Sequence, residues 1–289
     1  MNSITGHTRL TALLGSPVAH SISPLMHNEA FRQLGLDYVY LCFDVTEDTL
    51  PSAVSGLKSC GIRGFNLTMP NKNKVVELLD ELSPAAKLIG AVNTVVNEDG
   101  RLIGYNTDGI GYMQSVKDAG YDIIGKTVTI MGAGGAATAI SAQAALDGVN
   151  KLHIFARRTS RFWERTRALV DNINATLSCR AELHDNDDKE ALKNAIGESA
   201  LLLNATSVGM APNTDASIID DTSLFRKDLI VSDVIYNPRE TKFLRMAREA
   251  GCPVFNGMYM LLYQGAEAFR LWTGQEMPVE HIKKMFFDE

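Results

Sequence analysis

The stretch Val128-Thr129-Ile130-Met131-Gly132-Ala133-Gly134-Gly135-Ala136-Ala137 decides the fold of this 289-residue chain. A short apolar run suited to a buried strand leads straight into a glycine cluster, and an alanine-rich segment of helical character continues to Leu146. Gly132 to Ala137 fits the pattern G-x-G-x-x-A. Between a strand and a helix, that pattern is a dinucleotide-binding turn. Gly132 makes the tight turn, Gly134 lets the backbone approach a pyrophosphate, and Ala137 permits close helix–strand packing. The phosphate charge then sits on the helix N-terminus. Gly132, Ala133, Gly134, Gly135 and Ala136 are therefore candidate cofactor contacts. The plainer alternative is an ordinary glycine-rich turn; the flanking strand and helix argue against it.

Outward from this turn, short β-rich runs alternate with helix-length segments. Lys151–Phe155, Leu201–Asn204, Leu229–Val234 and Pro253–Phe255 read as further strands of a second βα series, with helices over Phe162–Ile173 and Phe243–Ala250. Toward the N-terminus, strands are expected over Leu10–Leu14, Tyr38–Phe43 and Ile62–Leu67, and helices over Pro24–Leu34 and Leu50–Lys58. Asp99-Gly100 between Val92–Val96 and Leu102–Tyr105 is a hairpin signal. The expected class is α/β with two domains: an N-terminal α/β substrate domain and a C-terminal, doubly wound Rossmann domain binding NAD(P). Two helices split near Gly274 and Pro278 should return to the first domain. That gives residues 1–107 with 258–289 as one domain and 108–257 as the other.

Composition excludes several classes. Charged residues are 21% and apolar residues 45%, near the globular average. A net charge of −6 offers nothing to nucleic acid or to an anionic membrane. No apolar run reaches the roughly 20 residues needed to span a bilayer, and no secretory signal is read. Cys42, Cys60, Cys179 and Cys252 are widely spaced and form no CxxC pair, so neither a metal site nor a disulfide framework is expected. A reduced cytoplasm is the expected location.

The end of the second Rossmann strand bears on cofactor choice. NAD sites commonly carry an acid there, on the ribose 2′-hydroxyl. Here the strand runs into Ala156-Arg157-Arg158-Thr159, with no acid between Lys151 and Trp163. Two guanidiniums and a hydroxyl suit a 2′-phosphate, which favours NADP. If Arg157 merely stacks on adenine, NAD fits equally well.

Three polar segments exceed what folding requires: His20-Ser21-Ile22-Ser23-Pro24, Asn66-Leu67-Thr68-Met69-Pro70-Asn71-Lys72, and Asn93-Thr94 with Tyr105-Asn106-Thr107-Asp108-Gly109. Taken singly, each has a bland reading. Ser23 is an N-cap, Lys72 a surface lysine, and Asp108 the N-cap of a following helix.

Taken together, the segments resemble the shikimate dehydrogenase family, including its quinate/shikimate branch. Ser21-Ile22-Ser23-Pro24, Asn66 to Lys72, Gly90-Ala91-Val92-Asn93-Thr94, Asn106-Thr107-Asp108-Gly109, Gly132 to Ala137, Asn204-Ala205-Thr206-Ser207 and Gln264-Gly265-Ala266 carry the resemblance in order. It implies two α/β domains around a cleft and reversible oxidation of the C3 hydroxyl of shikimate, in aromatic amino acid biosynthesis. Quinate is a second candidate substrate. The resemblance further implies Lys72 and Asp108 as the catalytic pair, which would also touch substrate. Ser21, Ser23, Thr68, Asn93, Tyr236 and Gln264 would bind the substrate's carboxylate and hydroxyls. Arg157, Arg158, Thr159, Val234 and Gly257 would join the glycine turn around NADP or NAD, with no metal. The Arg157-Arg158-Thr159 ending departs from the family's Asn-Arg-Thr, so some use of NAD is expected beside NADP. The partner is a small molecule, with a homodimer as the candidate assembly. Two other readings are a catalytically inactive NAD(P)-sensing regulator and a folate-linked dehydrogenase of similar build. The first would have no reason to keep both Lys72 and Asp108. Paired serines and Gln264 suit a polyhydroxylated carboxylate better than a folate.

Overall fold

The computed structural model describes residues 4–287. The chain divides into two compact units, one running to Thr107 and resuming at Leu262, the other spanning Asp108–Leu261.

The first unit begins with β1 (Arg9–Gly15), α1 (Ser23–Gln33), β2 (Tyr38–Asp44), α2 (Leu50–Ser59) and β3 (Gly64–Leu67). A 3₁₀ turn over Lys74–Leu78, β4 (Glu81–Leu82), α3 (Pro84–Ile89), β5 (Thr94–Glu98) and β6 (Arg101–Tyr105) follow. The sheet order is β2-β1-β3-β5-β6-β4. β1 pairs in parallel with β2 and β3, and β5 is antiparallel to both β3 and β6. The Asp99-Gly100 hairpin forms as read, with Asp99 at φ 51° and Gly100 at φ 90°, the pair of positive values that a tight two-residue turn demands. Ala12, Leu14, Phe65, Leu67, Val92 and Val95 meet in its core.

The second unit contains α4 (Asp108–Asp118), β7 (Thr127–Met131), α5 (Gly135–Leu146), β8 (Lys151–Ala156), α6 (Trp163–Thr176) and β9 (Arg180–Asp185). α7 (Lys189–Glu198), β10 (Leu201–Asn204), a 3₁₀ turn at Thr222–Leu224, β11 (Ile230–Asp233), α8 (Lys242–Glu249) and β12 (Val254–Phe255) complete it. α9 (Met258–Thr273) then leads into the first unit, followed by α10 (Val279–Phe286). The order β12-β11-β10-β7-β8-β9 is wholly parallel. It reverses direction between β10 and β7, the switch point where doubly wound sheets bind ligands. α5 is buried on nearly all sides, which its alanines make sterically affordable.

Several elements differ from the sequence reading, β4 and α3 being two that it does not contain. Ser23 is not the N-cap of α1. The helix starts at Ser23, the cap position is Ile22 with no side-chain cap bond, and the Ser23 amide donates to Ser21 Oγ (3.2 Å). Ile22 already has helical dihedrals, which moves the helix start one residue earlier than Pro24 suggests. β9 and α7 were not anticipated at all. Arg180–Asp185 has only Ala181 and Leu183 as apolar residues, because β9 is an edge strand with one polar face.

α9 is fixed to the first unit at both ends of its docked segment. The Trp272 indole donates to the Val95 carbonyl (3.0 Å), and Arg63 Nε donates to the Trp272 carbonyl (2.8 Å). Nearer the start, a side chain at Gly265 would meet Met26 Cε at 2.1 Å, so the Met26 side chain lies close over α9 at a position that glycine leaves open. Beneath that contact His27 is fully buried. It stacks on Tyr40 (ring centroids 4.5 Å apart), and neither ring nitrogen has a hydrogen-bond partner.

Burial pushes His27 down to about 3 from its ordinary 6.5. The unfolded chain therefore binds a proton below about pH 6.5 that the folded chain refuses until about pH 3. Stability from neutral His27 is fully present above that window. It is lost as pH falls through it, at about 1.4 kcal/mol per pH unit. His27→Phe keeps a stacked ring and removes the titration. Urea unfolding at about pH 7 and about pH 4 should show a smaller acid loss of stability in the variant; equal losses would refute the assignment.

Candidate active site

In the first unit, polar residues gather at the C-terminal ends of β1 and β3. β3 ends at Leu67, and the Thr68 amide returns to the Leu14 carbonyl (3.1 Å). A turn closes with the Asn71 amide on the Thr68 carbonyl (2.9 Å), around the cis peptide Met69–Pro70. Asn71 is buried, and its Nδ2 donates to the Val45 carbonyl (2.8 Å). This anchor places Lys72 just beyond the strand end, half-buried, with its carbonyl accepting from the Val92 amide (2.8 Å).

A buried network continues from there. Tyr40 Oη donates to Asn66 Oδ1 (2.8 Å), and Asn66 Nδ2 donates to the Asn93 carbonyl (3.1 Å) and to Thr94 Oγ1 (2.9 Å). Asn93 Oδ1 accepts from the Thr107 amide (2.8 Å), while Asn93 Nδ2 donates to Thr107 Oγ1 (3.0 Å). Ser23 adds a hydrogen bond at the Tyr40 phenol, whose ionisation burial pushes well above its ordinary range. Tyr40, Asn66, Asn93, Thr94 and Thr107 are all buried. Asp108 follows Thr107 by one peptide bond, so its backbone position is set by Asn93. It begins α4, where its carboxylate also suits the positive end of the helix.

The structure brings Ser23, Asn93 and the backbone of Lys72 into this one network. Ser21 lies beside it, with a hydrogen bond at the Cys42 thiol. Thr68 opens the Lys72 turn and is half-buried. Gln264 sits one residue before the Gly265 contact that seats α9 on α1. Asn93 does more structural work than its sequence context suggests, since its amide oxygen is committed to Thr107.

In the second unit, a cavity of about 620 Å³ opens at the C-terminal ends of β7, β8, β10 and β11. Gly132 to Ala136 form one wall. Gly132 has φ +127°, and a side chain there would meet the Ala205 carbonyl oxygen at 2.8 Å, so the turn admits only glycine. Gly134 occupies the N-cap of α5 with no side-chain cap bond, and the first helical bond runs from the Thr138 amide to the Gly134 carbonyl (2.9 Å). The amides before Thr138 thus have no partner within the helix, and the space over Gly134 and Gly135 is open. That cradle fits a pyrophosphate by charge and by shape. Asn186 lines the same cavity, and its Oδ1 is buried without a hydrogen-bond partner, an acceptor suited to a base amino group.

The predicted cofactor residues divide here. Arg157 and Val234 line the cavity. Arg158 does not; its guanidinium stacks over Trp163 at 5.4 Å from the ring centroid. Thr159 is exposed and also off the cavity wall. Gly257 is buried behind Val234, its amide donating to the Ile235 carbonyl (3.2 Å). Tyr236, expected with the substrate, lines this dinucleotide cavity. Ser160, Phe162, Asn186 and Met210 line it without having been singled out, as do Thr206 and Ser207, which the sequence marked only as part of the family resemblance. Thr206 and Ser207 follow a recognised strand end, a signal that could have found them. Asn186 follows β9, whose polar face hid the strand.

Asp233 supports the same wall from beneath. Its carboxylate accepts from the Ile235 amide (2.9 Å), from Asn204 Nδ2 (3.1 Å) and from Thr241 Oγ1 (2.8 Å). Burial nevertheless outweighs these bonds and pushes it up to about 6.

Comparisons with known proteins agree with this build. Residues 13–95 match the model of the shikimate dehydrogenase substrate binding domain, and residues 257–284 match the shikimate 5'-dehydrogenase C-terminal domain. A shikimate dehydrogenase (NADP(+)) of Listeria innocua serovar 6a is 52% identical over 284 residues, covering 98% of this chain and 97% of the relative. One of Streptococcus uberis is 48% identical over 289 residues, covering 99% and 98%. The solved shikimate 5-dehydrogenase of Listeria monocytogenes, in complex with shikimate and NAD, superposes with a TM-score of 0.96 at 51% identity, covering 99% of each chain.

The folded chain holds a proton on Asp233 between the ordinary carboxylate range and about pH 6 that the unfolded chain has released. Asp233 therefore lowers stability as pH rises through that window, by about 1.4 kcal/mol per pH unit. Asp233→Asn should abolish that slope. It should also lower the melting temperature, because an amide group must then face one of the three donors with its own N–H. Melting curves from about pH 4 to about pH 7 test this, and an unaltered slope would count against it.

Proposed function

This chain belongs to the shikimate dehydrogenase family, and from that premise we propose how its residues carry the reaction. The enzyme reversibly oxidises the C3 hydroxyl of shikimate to 3-dehydroshikimate with NADP or NAD, a step of aromatic amino acid biosynthesis. The observation that carries the residue assignment is the buried Asn66–Asn93–Thr107 network. It ties the backbone of Lys72 to that of Thr107, next to Asp108.

Oxidation removes two groups from the C3 centre, a hydride from carbon and a proton from oxygen. The nicotinamide of a dinucleotide held by Gly132 to Ala136 would supply the hydride acceptor in this direction and the hydride donor in the other. Lys72 takes the hydroxyl proton, and in reduction gives it back to the developing alkoxide. Asp108 accepts a hydrogen bond from the same hydroxyl edge and orients the Lys72 amine. Ser21, Ser23, Thr68, Asn93 and Gln264 bind the carboxylate and the remaining hydroxyls. Shikimate is anionic and polyhydroxylated, so a set of hydroxyls and amides can satisfy its oxygens together. Gly132 to Ala136 would hold the pyrophosphate, with Val234 and Tyr236 lining the same cavity. Gly257 acts on the cofactor through Val234.

Arg157 takes the 2′-phosphate of NADP, supported by its place on the cavity wall. Arg158 and Thr159 contribute at longer range, by charge and at the rim. NAD forgoes the phosphate contact and keeps the others, so both cofactors are used and NADP is preferred. Quinate shares the carboxylate and ring hydroxyls and is the secondary substrate. The same reading includes a cytoplasmic enzyme, supported by four unpaired cysteines, and a homodimer, checked by sedimentation equilibrium. Among the described residues, no helix is long and apolar enough to cross a membrane.

Steady-state kinetics with shikimate and quinate, each with NADP and NAD, test the assignment. Lys72→Ala should lower kcat by at least about 10²-fold and change KM for shikimate far less. Arg157→Ala should raise KM for NADP by roughly 10–150-fold, the loss of a charge-assisted bond, with little change for NAD. Arg158→Ala should have the smaller effect. Near-normal turnover in folded Lys72→Ala, or equal effects of the two arginine variants, would refute these roles.

A further inference from the structure

One cluster of metal-ligating side chains is not used by the proposed reaction. The register of β8 on β9 sets His153 opposite Glu182 and Phe155 opposite His184, so all four project from one face of the sheet. Phe155 stacks on His184 (4.7 Å) and shares a core with Leu192 and Ile196 of α7. The three polar groups therefore lie beneath the C-terminal end of α7, where Glu198 closes the helix.

Their donor atoms face one another. His153 Nδ1 is 2.9 Å from His184 Nε2 and 3.5 Å from Glu182 Oε2, and His184 Nε2 is 3.6 Å from that same oxygen. Tetrahedral zinc, with nitrogen and oxygen ligands at roughly 2.0–2.2 Å, holds neighbouring donors about 3.3 Å apart. The three atoms thus have the spacing of one face of such a tetrahedron, whose fourth ligand would be a water. Among the described residues this is the only trio of histidine, cysteine or carboxylate donors with such spacing.

The surroundings prepare the imidazoles for a cation. His153 Nε2 lies 2.5 Å from Glu198 Oε1 and donates to it, which leaves Nδ1 as a lone pair directed at the trio. The His184 ring faces that lone pair through its Nε2 (2.9 Å). A tautomer shift of that ring to Nδ1–H frees its Nε2 lone pair without loss of a proton. Arg180 holds the other oxygen of Glu182 (2.9 Å), and Lys151 lies 2.7 Å from Glu198 and 3.7 Å from Glu182. These cations offset both carboxylates. Charge alone therefore draws no cation to the site, Lys151 lying against the same Glu182 oxygen that faces the imidazoles, and selection rests on the two imidazoles, which favour a borderline ion over hard Ca²⁺ or Mg²⁺.

We propose that His153, Glu182 and His184 form a binding site for a tetrahedral divalent transition ion, with Zn²⁺ as the ligand, apart from the dinucleotide cavity. The ion would clamp edge strand β9 to β8. Zinc titrated calorimetrically into the whole chain should bind at one ion per chain, and Co²⁺ should give the visible bands of tetrahedral coordination. Saturating zinc should raise the melting temperature, whereas Mg²⁺ should not. Glu182→Gln, which preserves shape, and His184→Ala should each weaken zinc at least about tenfold and remove the cobalt bands. Shikimate oxidation by metal-free variants reports that they have folded. Absence of zinc binding by the parent chain, octahedral cobalt spectra, or undiminished zinc affinity in both variants would overturn the proposal.

Discussion

The buried amide of Asn93 is the constraint on which the first unit's site depends. A side-chain amide removed from water must find partners, because an unsatisfied one costs about 1–3 kcal/mol. Asn93 finds them in the backbone and hydroxyl of Thr107, and Asn66 finds them in Tyr40, Thr94 and the Asn93 carbonyl. Residues far apart in sequence are thereby held in one register. The strand end before Lys72, the hairpin strand that starts at Thr94 and the residue before Asp108 cannot move independently. Any shift of one breaks a buried bond in another, so the polar groups are held in place before substrate arrives.

The second unit solves a different problem. A pyrophosphate carries charge that must be met without a dedicated lysine. The switch point of a parallel sheet supplies this with backbone alone, through the uncapped amides at the start of α5. Side chains around it shape and select more than they neutralise. Arg157 reaches the cavity while Arg158 turns to Trp163. Two adjacent, exposed arginines thus have different surroundings, because successive residues leave a strand end in different directions. Asp233 bears an energetic cost for the same cavity. Its burial raises its pKa, yet its three bonds hold the loop that contains Val234 and Ile235.

Much of the fold was legible in sequence because it follows from local rules. Val128–Ala137 states strand, turn and helix in ten residues. Asp99-Gly100 states a hairpin. The alternation of apolar runs and helical segments states a mostly parallel sheet. Features set by neighbours rather than by the segment itself were not legible. β9 is an edge strand with a polar face, so its six residues lack the pattern of a buried strand. Its omission concealed Asn186 and the pairing of His153 with Glu182. Ser23 has the ideal identity for a cap, but Ile22 had already entered helical geometry.

The chemistry available is written in the chain: a glycine turn suited to a dinucleotide, hydroxyls and amides suited to a polyhydroxylated anion, one lysine and one carboxylate in a recognisable order. Those are properties of residue type and spacing along the chain, and they survive without coordinates. Which side chains are committed to the protein itself, and which line a cavity, is visible only in the folded chain. Asn93 is tied to Thr107, Arg158 to Trp163, and Tyr236 lies on the dinucleotide wall. The physical reason is that a side chain's direction, burial and hydrogen-bond partners come from strands and helices remote in sequence, and no local pattern records them.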